Sequence, residues 1–140
     1  MGDYFSLRFT AALTSEGAEQ VRKLLRTHSW EGVNDAFAQM DRANFIPFGG
    51  LNYAPYGWEH ARELSTVGPL ETWHVCCSIK MSERTRGTVH YFLHRVLAPM
   101  LALPAKYELY AERSCPMENG LLMPSGEVLL VPETDASETS

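Results

Sequence analysis

Between Glu71 and Leu97 a strictly alternating segment runs into the longest amphipathic stretch of the chain, and this pairing limits the fold more than any other feature. In Thr72 to Met81, the residues Trp73, Val75, Cys77, Ile79 and Met81 share one side, and Thr72, His74, Cys76, Ser78 and Lys80 share the other. Side chains alternate across the faces of a strand, so the pattern predicts a half-buried strand. Beyond Ser82-Glu83-Arg84, the residues Val89, Phe92, Leu93, Val96, Leu97, Met100 and Leu101 recur at helical spacing. Their stripe has a natural seat on the apolar side of that strand.

The remaining elements arrange themselves around this unit. Asp3 to Leu13 alternates, with Phe5, Leu7, Phe9 and Ala11 opposite Tyr4, Ser6, Arg8 and Thr10, which predicts a first strand. Thr14 or Ser15 caps a following helix, with Glu16 and Glu19 near its positive end and Arg22, Lys23 and Arg26 near its negative end. Its expected buried stripe is Ala18, Val21, Leu24, Leu25 and His28. A second helix is expected from Ser29 through Trp30, Val33, Phe37 and Met40. From Asn44 to Val67 the texture changes to prolines and glycines among Phe45, Phe48, Tyr53, Tyr56 and Trp58. Leu51 to Ala54 is read there as a short strand, and Trp58 to Leu64 as a helical turn. Proline removes a backbone donor and clashes with the preceding turn, so the long helix bends at Ala98-Pro99 and has ended by Pro104. Lys106 to Arg113 alternates again, and Pro124-Ser125-Gly126 joins Leu121–Met123 to Glu127–Val131 as a terminal hairpin.

The expected fold is therefore α+β: a mostly antiparallel sheet with two or three helices on one face, in ferredoxin-like order plus a C-terminal hairpin. A chain of 140 residues, 45% hydrophobic and 11% aromatic, has enough apolar material for one core. One domain over 1–132 is expected, with 133–140 a disordered acidic tail. Cys76 and Cys77 are adjacent and leave only Cys115 as a partner, so no disulfide framework is indicated and a cytoplasmic location is expected. No apolar run approaches the roughly 20 residues that span a bilayer. A net charge of −5 without clustered Lys and Arg argues against generic nucleic-acid binding.

Chemistry-bearing patterns are sparse. His90 and His94, four apart on one helix, have metal-ligand spacing, with His74 or a cysteine as further ligands. Tyr91 stands where the zinc-peptidase motif carries glutamate, and no second close ligand pair exists, so ring packing at the helix flank is the commoner role and no metal is expected. Cys76 beside His74 lacks an orienting third group, and a half-buried thiol is the ordinary use of such a residue. Gly49-Gly50 is not followed by a phosphate-loop pattern, and no cofactor is expected. Two surfaces remain as binding candidates. One is the sheet face opposite the helices, carrying Tyr4, Arg8, His74, Lys80, Glu108 and Tyr110; the other is the aromatic loop with Phe48, Tyr53, Tyr56 and Trp58.

The expectation is a non-enzymatic binding protein, of inhibitor or adaptor type, that recognises a protein partner or a small-molecule ligand through these surfaces. The alternative is a small metal-dependent or cysteine/histidine hydrolase using His74, His90 and His94. The hairpin offers Leu121, Leu122, Met123, Val128, Leu129, Leu130 and Val131 on both faces, from which a homodimer is expected.

Overall fold

Alternation at Tyr4–Leu13 (β1) and Leu70–Lys80 (β3) produces two long strands that pair antiparallel along their length, from Tyr4 opposite Lys80 to Leu13 opposite Glu71. The computed structural model describes residues 4–40, 43–49, 58, 64–67, 70–80, 82–111 and 115–131. On its other side β1 pairs with Ala105–Ala111 (β4), Phe5 meeting Ala111 and Thr10 meeting Lys106. Leu64–Val67 (β2) flanks β3, while Cys115–Leu122 (β5) and Val128–Leu130 (β6) extend the sheet beyond β4. The result is a six-stranded antiparallel sheet in the order β2-β3-β1-β4-β5-β6.

Among the described residues three α-helices accompany it. Ser15–Thr27 (α1) starts where the Thr14 hydroxyl accepts from the Gly17 amide at 3.0 Å, and Asp35–Ala38 (α2) starts where the Asn34 side chain accepts from Phe37. Glu83–Tyr91 (α3) has Ser82 in the same role toward Thr85. From Phe92 to Leu97 the helix widens: the Ala98 amide bonds the Leu93 carbonyl five residues back, and a tight turn follows over Ala98–Met100. Pro99 accounts for the change, because its ring displaces the carbonyl of Arg95 and it offers no amide of its own.

The core gathers buried side chains of β1, β3 and β4 with those of α1, Phe37 of α2 and the run from Val89 to Leu101. Phe92 is its hub, with ring centroids 5.8 Å from Phe9, 5.9 Å from Trp30, 5.7 Å from Phe37 and 6.4 Å from Trp73. Every residue of the expected stripe from Val89 to Leu101 is buried. Two aromatic pairs, Phe9 with Trp73 and Trp30 with Phe37, meet edge to face, the arrangement that ring quadrupoles favour.

Some sequence expectations need amendment and others fall outside the described residues. The second strand lies at Leu64–Val67, while Leu51 to Ala54 falls outside the described residues, as does the tail at 133–140. No helix runs from Ser29, because Gly32 takes φ 81° and Asn34 is the effective cap, leaving a single turn at Asp35–Ala38. Trp58 lies outside helix and strand and Leu64 belongs to β2, while the rest of the helical turn expected from Trp58 to Leu64 falls outside the described residues. His28 is exposed rather than part of the α1 stripe: at φ 59° it ends the helix, its amide bonding the Leu24 carbonyl. Among the described residues no helix is long and apolar enough to cross a membrane.

Candidate functional site

With Phe5, Leu7, Phe9, Trp73, Val75, Tyr107 and Leu109 turned into the core, alternation turns Tyr4, Ser6, Arg8, Thr10, His74, Cys76, Ser78, Lys80, Lys106, Glu108 and Tyr110 to the other side of the sheet. Strand register sets these residues in rows. Arg8 lies opposite both Cys76 and Glu108, and Thr10 lies opposite both His74 and Lys106.

One residue of the second surface read from the sequence, Trp58, lies on this face. Trp58, from the aromatic segment, has its ring 4.6 Å from the Arg8 guanidinium carbon and lies edge-on to Tyr110 with centroids 5.3 Å apart. Arg8 also donates to Glu108 Oε1 at 2.6 Å. One cation is thus held between a carboxylate and an indole face, which fixes its direction. At the Ser6 end the face is closed, since Ser6, Cys76 and Ser78 are all buried and the Ser6 and Ser78 hydroxyls stand 3.3 Å apart. Burial pushes the Cys76 thiol up to about 11, and the opposing pull of Arg8 is too weak to cancel it. The thiol is neutral at physiological pH and poorly suited to nucleophilic work. At the Thr10 end the face is open: Thr10 and Lys106 are exposed, and the Thr10 hydroxyl lies 3.3 Å from Nδ1 of the half-buried His74.

The other expected binding residues divide. Tyr4 and Lys80 lie opposite each other at the Ser6 end, Tyr4 half-buried and Lys80 exposed. Phe48 does not join this face; its ring stacks on His28 at 4.7 Å, beyond the end of α1. Tyr53 and Tyr56 fall outside the described residues. Gly49 explains how the segment before them reaches the sheet: a Cβ there would stand 2.0 Å from the Ser78 carbonyl oxygen, so only glycine permits the approach to β3.

The three histidines do not form one group. His74 belongs to the outer face, whereas His90 and His94 engage the hairpin from the helix side. His90 Nε2 lies 3.2 Å from Glu118 Oε1, and His94 Nδ1 lies 2.7 Å from the Gly126 carbonyl oxygen. Among the described residues no three His, Cys, Asp or Glu side chains are grouped to hold a metal ion.

The His90 contact is part of a small acid–base chain that sequence reading missed. The Tyr107 hydroxyl donates to Glu118 Oε2, so one carboxylate joins a buried phenol to a half-exposed imidazole. Burial, with help from Glu118, raises the Tyr107 pKa well above its ordinary value. Tyr107 sits opposite Gly120 and diagonal to Glu118, and a Cβ at Gly120 would come within 2.7 Å of the phenol ring. A glycine facing a tyrosine across a strand pair was the available signal.

No protein family matches the chain, and comparison with curated proteins and with solved structures finds no significant similarity.

Proposed function

We propose that the chain is a binding protein of inhibitor or adaptor type that recognises its target on the outer face of the sheet. The observation that carries this reading is the meeting of Trp58 with Arg8 and Tyr110, which adds an aromatic ring to the polar sheet face. The order β2-β3-β1-β4, with α1 between β1 and β2 and α3 between β3 and β4, supports a ferredoxin-like core whose helices share one side and leave the Thr10 end of the other open for recognition. Tryptophan, tyrosine and arginine are the residues most often found to dominate binding interfaces.

The helix side supports a second reading, a small hydrolase working through His90, Glu118 and Tyr107, because these three form a continuous chain of proton-carrying groups. One experiment separates the two. Isotope-labelled protein is screened against a library of small polar and aromatic fragments, and amide shifts are mapped by NMR. Shifts clustered at Arg8, Thr10, His74 and Tyr110, and abolished by Arg8→Ala, are the expected result. A cluster at His90, His94 and Glu118 instead would transfer the function to the helix side.

A further inference from the structure

Strand register carries the open row of the outer face further than its polar residues. Thr10 pairs with His74 and with Lys106, Lys106 pairs with Leu121, and Leu121 pairs with Leu129. His74, Thr10, Lys106, Leu121 and Leu129 therefore form one line across five strands. In the neighbouring row Arg8 is followed by Glu108 and Asn119, and the Val131 amide bonds the Asn119 carbonyl at 2.8 Å, which sets Val131 beside Leu129. Leu129 and Val131 are 56% and 47% exposed, so large apolar side chains lie in water directly beyond the cationic middle of the face. Lone exposed leucines are ordinary, but a contiguous pair at the end of a charged row has the composition of an interface.

Charge identifies the occupant. On β1, β3 and β4 this face carries Arg8, Lys80 and Lys106 against a single carboxylate, Glu108, which is already engaged by Arg8. The whole chain has a net charge of −5, so the face is locally opposite in sign to the molecule. A second copy is the poorer partner, because a twofold contact centred on the row sets Lys106 against Lys106. Nucleic acid is also disfavoured, since the overall charge repels phosphate and Arg8 already covers one face of the Trp58 ring.

We infer that the row from His74 to Leu129 docks an acidic segment of a partner protein, Lys106 and His74 receiving its carboxylates and Leu121 with Leu129 receiving an apolar side chain. This names the partner class for the binding function proposed above and rests on that reading. Glu127, at the hairpin end of the same face, limits how far a carboxylate-rich segment extends past Leu129.

Phage-displayed random peptides selected on the immobilised full chain test it. Enriched peptides should be acidic and contain a large apolar residue. Measured on synthetic copies, their binding should weaken about tenfold with Lys106→Glu and with Leu129→Ser, and should be unchanged by Leu130→Ser, which alters the opposite side of β6. All three positions are exposed, so the variants should fold, and thermal unfolding is the check on each. Enrichment of basic peptides, no enrichment at all, or equal losses at Leu129 and Leu130 would overturn the inference. So would tight, salt-sensitive binding of oligothymidylate lost with Lys106→Glu, or a dimer in light scattering that Leu129→Ser dissociates. If fragments still mark Arg8 and Tyr110 while the peptides fail, the docking row falls and the binding function stands.

Discussion

The Arg8 guanidinium lies against the face of Trp58, 4.6 Å from the ring centroid, and this contact ties the tryptophan to the centre of the sheet. Its strength is measurable. Replacing Arg8 or Trp58 by alanine, singly and together, should give a coupling of about 0.5–1 kcal/mol in a denaturation cycle, the range of exposed cation–π pairs. A coupling indistinguishable from zero would mean that Trp58 rests on Arg8 without being held by it.

Phe92 should behave in the opposite way to the exposed leucines. It is fully buried and touches the rings of Phe9, Trp30, Phe37 and Trp73, so Phe92→Ala leaves a cavity at the centre of the core. A loss of about 3–5 kcal/mol is expected from urea unfolding. Leu129→Ser, at 56% exposure, should change stability by less than about 0.5 kcal/mol.

Gly120→Ala places a methyl group within 2.7 Å of the Tyr107 ring and hydroxyl. The ring is buried, so overpacking should cost about 1–3 kcal/mol. If the variant is as stable as the parent, the Tyr107–Glu118 contact is looser than its geometry implies. Where the loss is seen, Tyr107→Phe in the Gly120→Ala background should recover little of it, because the clash involves the ring as well as its hydroxyl.

Alkaline pH should destabilise the protein through two groups. Burial raises the Cys76 thiol from 9.0 to about 11 and raises the Tyr107 phenol in the same direction, with Glu118 adding to the latter. A raised folded-state value means that the unfolded chain gives up its proton first. The stabilising contribution is complete below the unfolded value and is lost as pH climbs through the folded one. Urea midpoints of the wild type should therefore fall from pH 9.0 toward about 11, and Cys76→Ala should flatten that part of the curve. Tyr107→Phe should flatten the part above about 10. A Cys76→Ala curve parallel to the wild type would show that the thiol is solvated.

Much of this architecture was legible because it is periodic. Alternation located β1, β3 and β4 and gave the outer face its Arg8, His74, Lys106, Glu108 and Tyr110, while the capping residue at Thr14 marked the start of α1. The short edge strand Leu64–Val67 carries no such signal; pairing with Leu70–Trp73 creates it. Phe48 was grouped with Trp58 by composition alone, and a segment without a period gives no direction to its side chains. The Tyr107–Glu118–His90 chain was hidden because it depends on register: the irregularity after Leu109 shifts the β5 partner from Glu118 to Pro116, and only the final pairing turns Glu118 toward the helices. The continuity from Lys106 to Leu129 was invisible for the same reason, although both the hairpin and the strand were expected.

The central position of β1 has a consequence for synthesis. Its neighbours β3 and β4 lie far along the chain, with Thr10 paired to both His74 and Lys106. On the ribosome, β1 emerges carrying Phe5, Leu7 and Phe9 and has no strand beside it until Leu70–Lys80 has followed, and none on its second edge until Ala105–Ala111 has cleared the exit tunnel. Such distant pairings fold slowly and leave an apolar strand open to wrong partners in the interval. For much of its own translation the nascent chain is therefore a natural client for a chaperone that shields short hydrophobic segments.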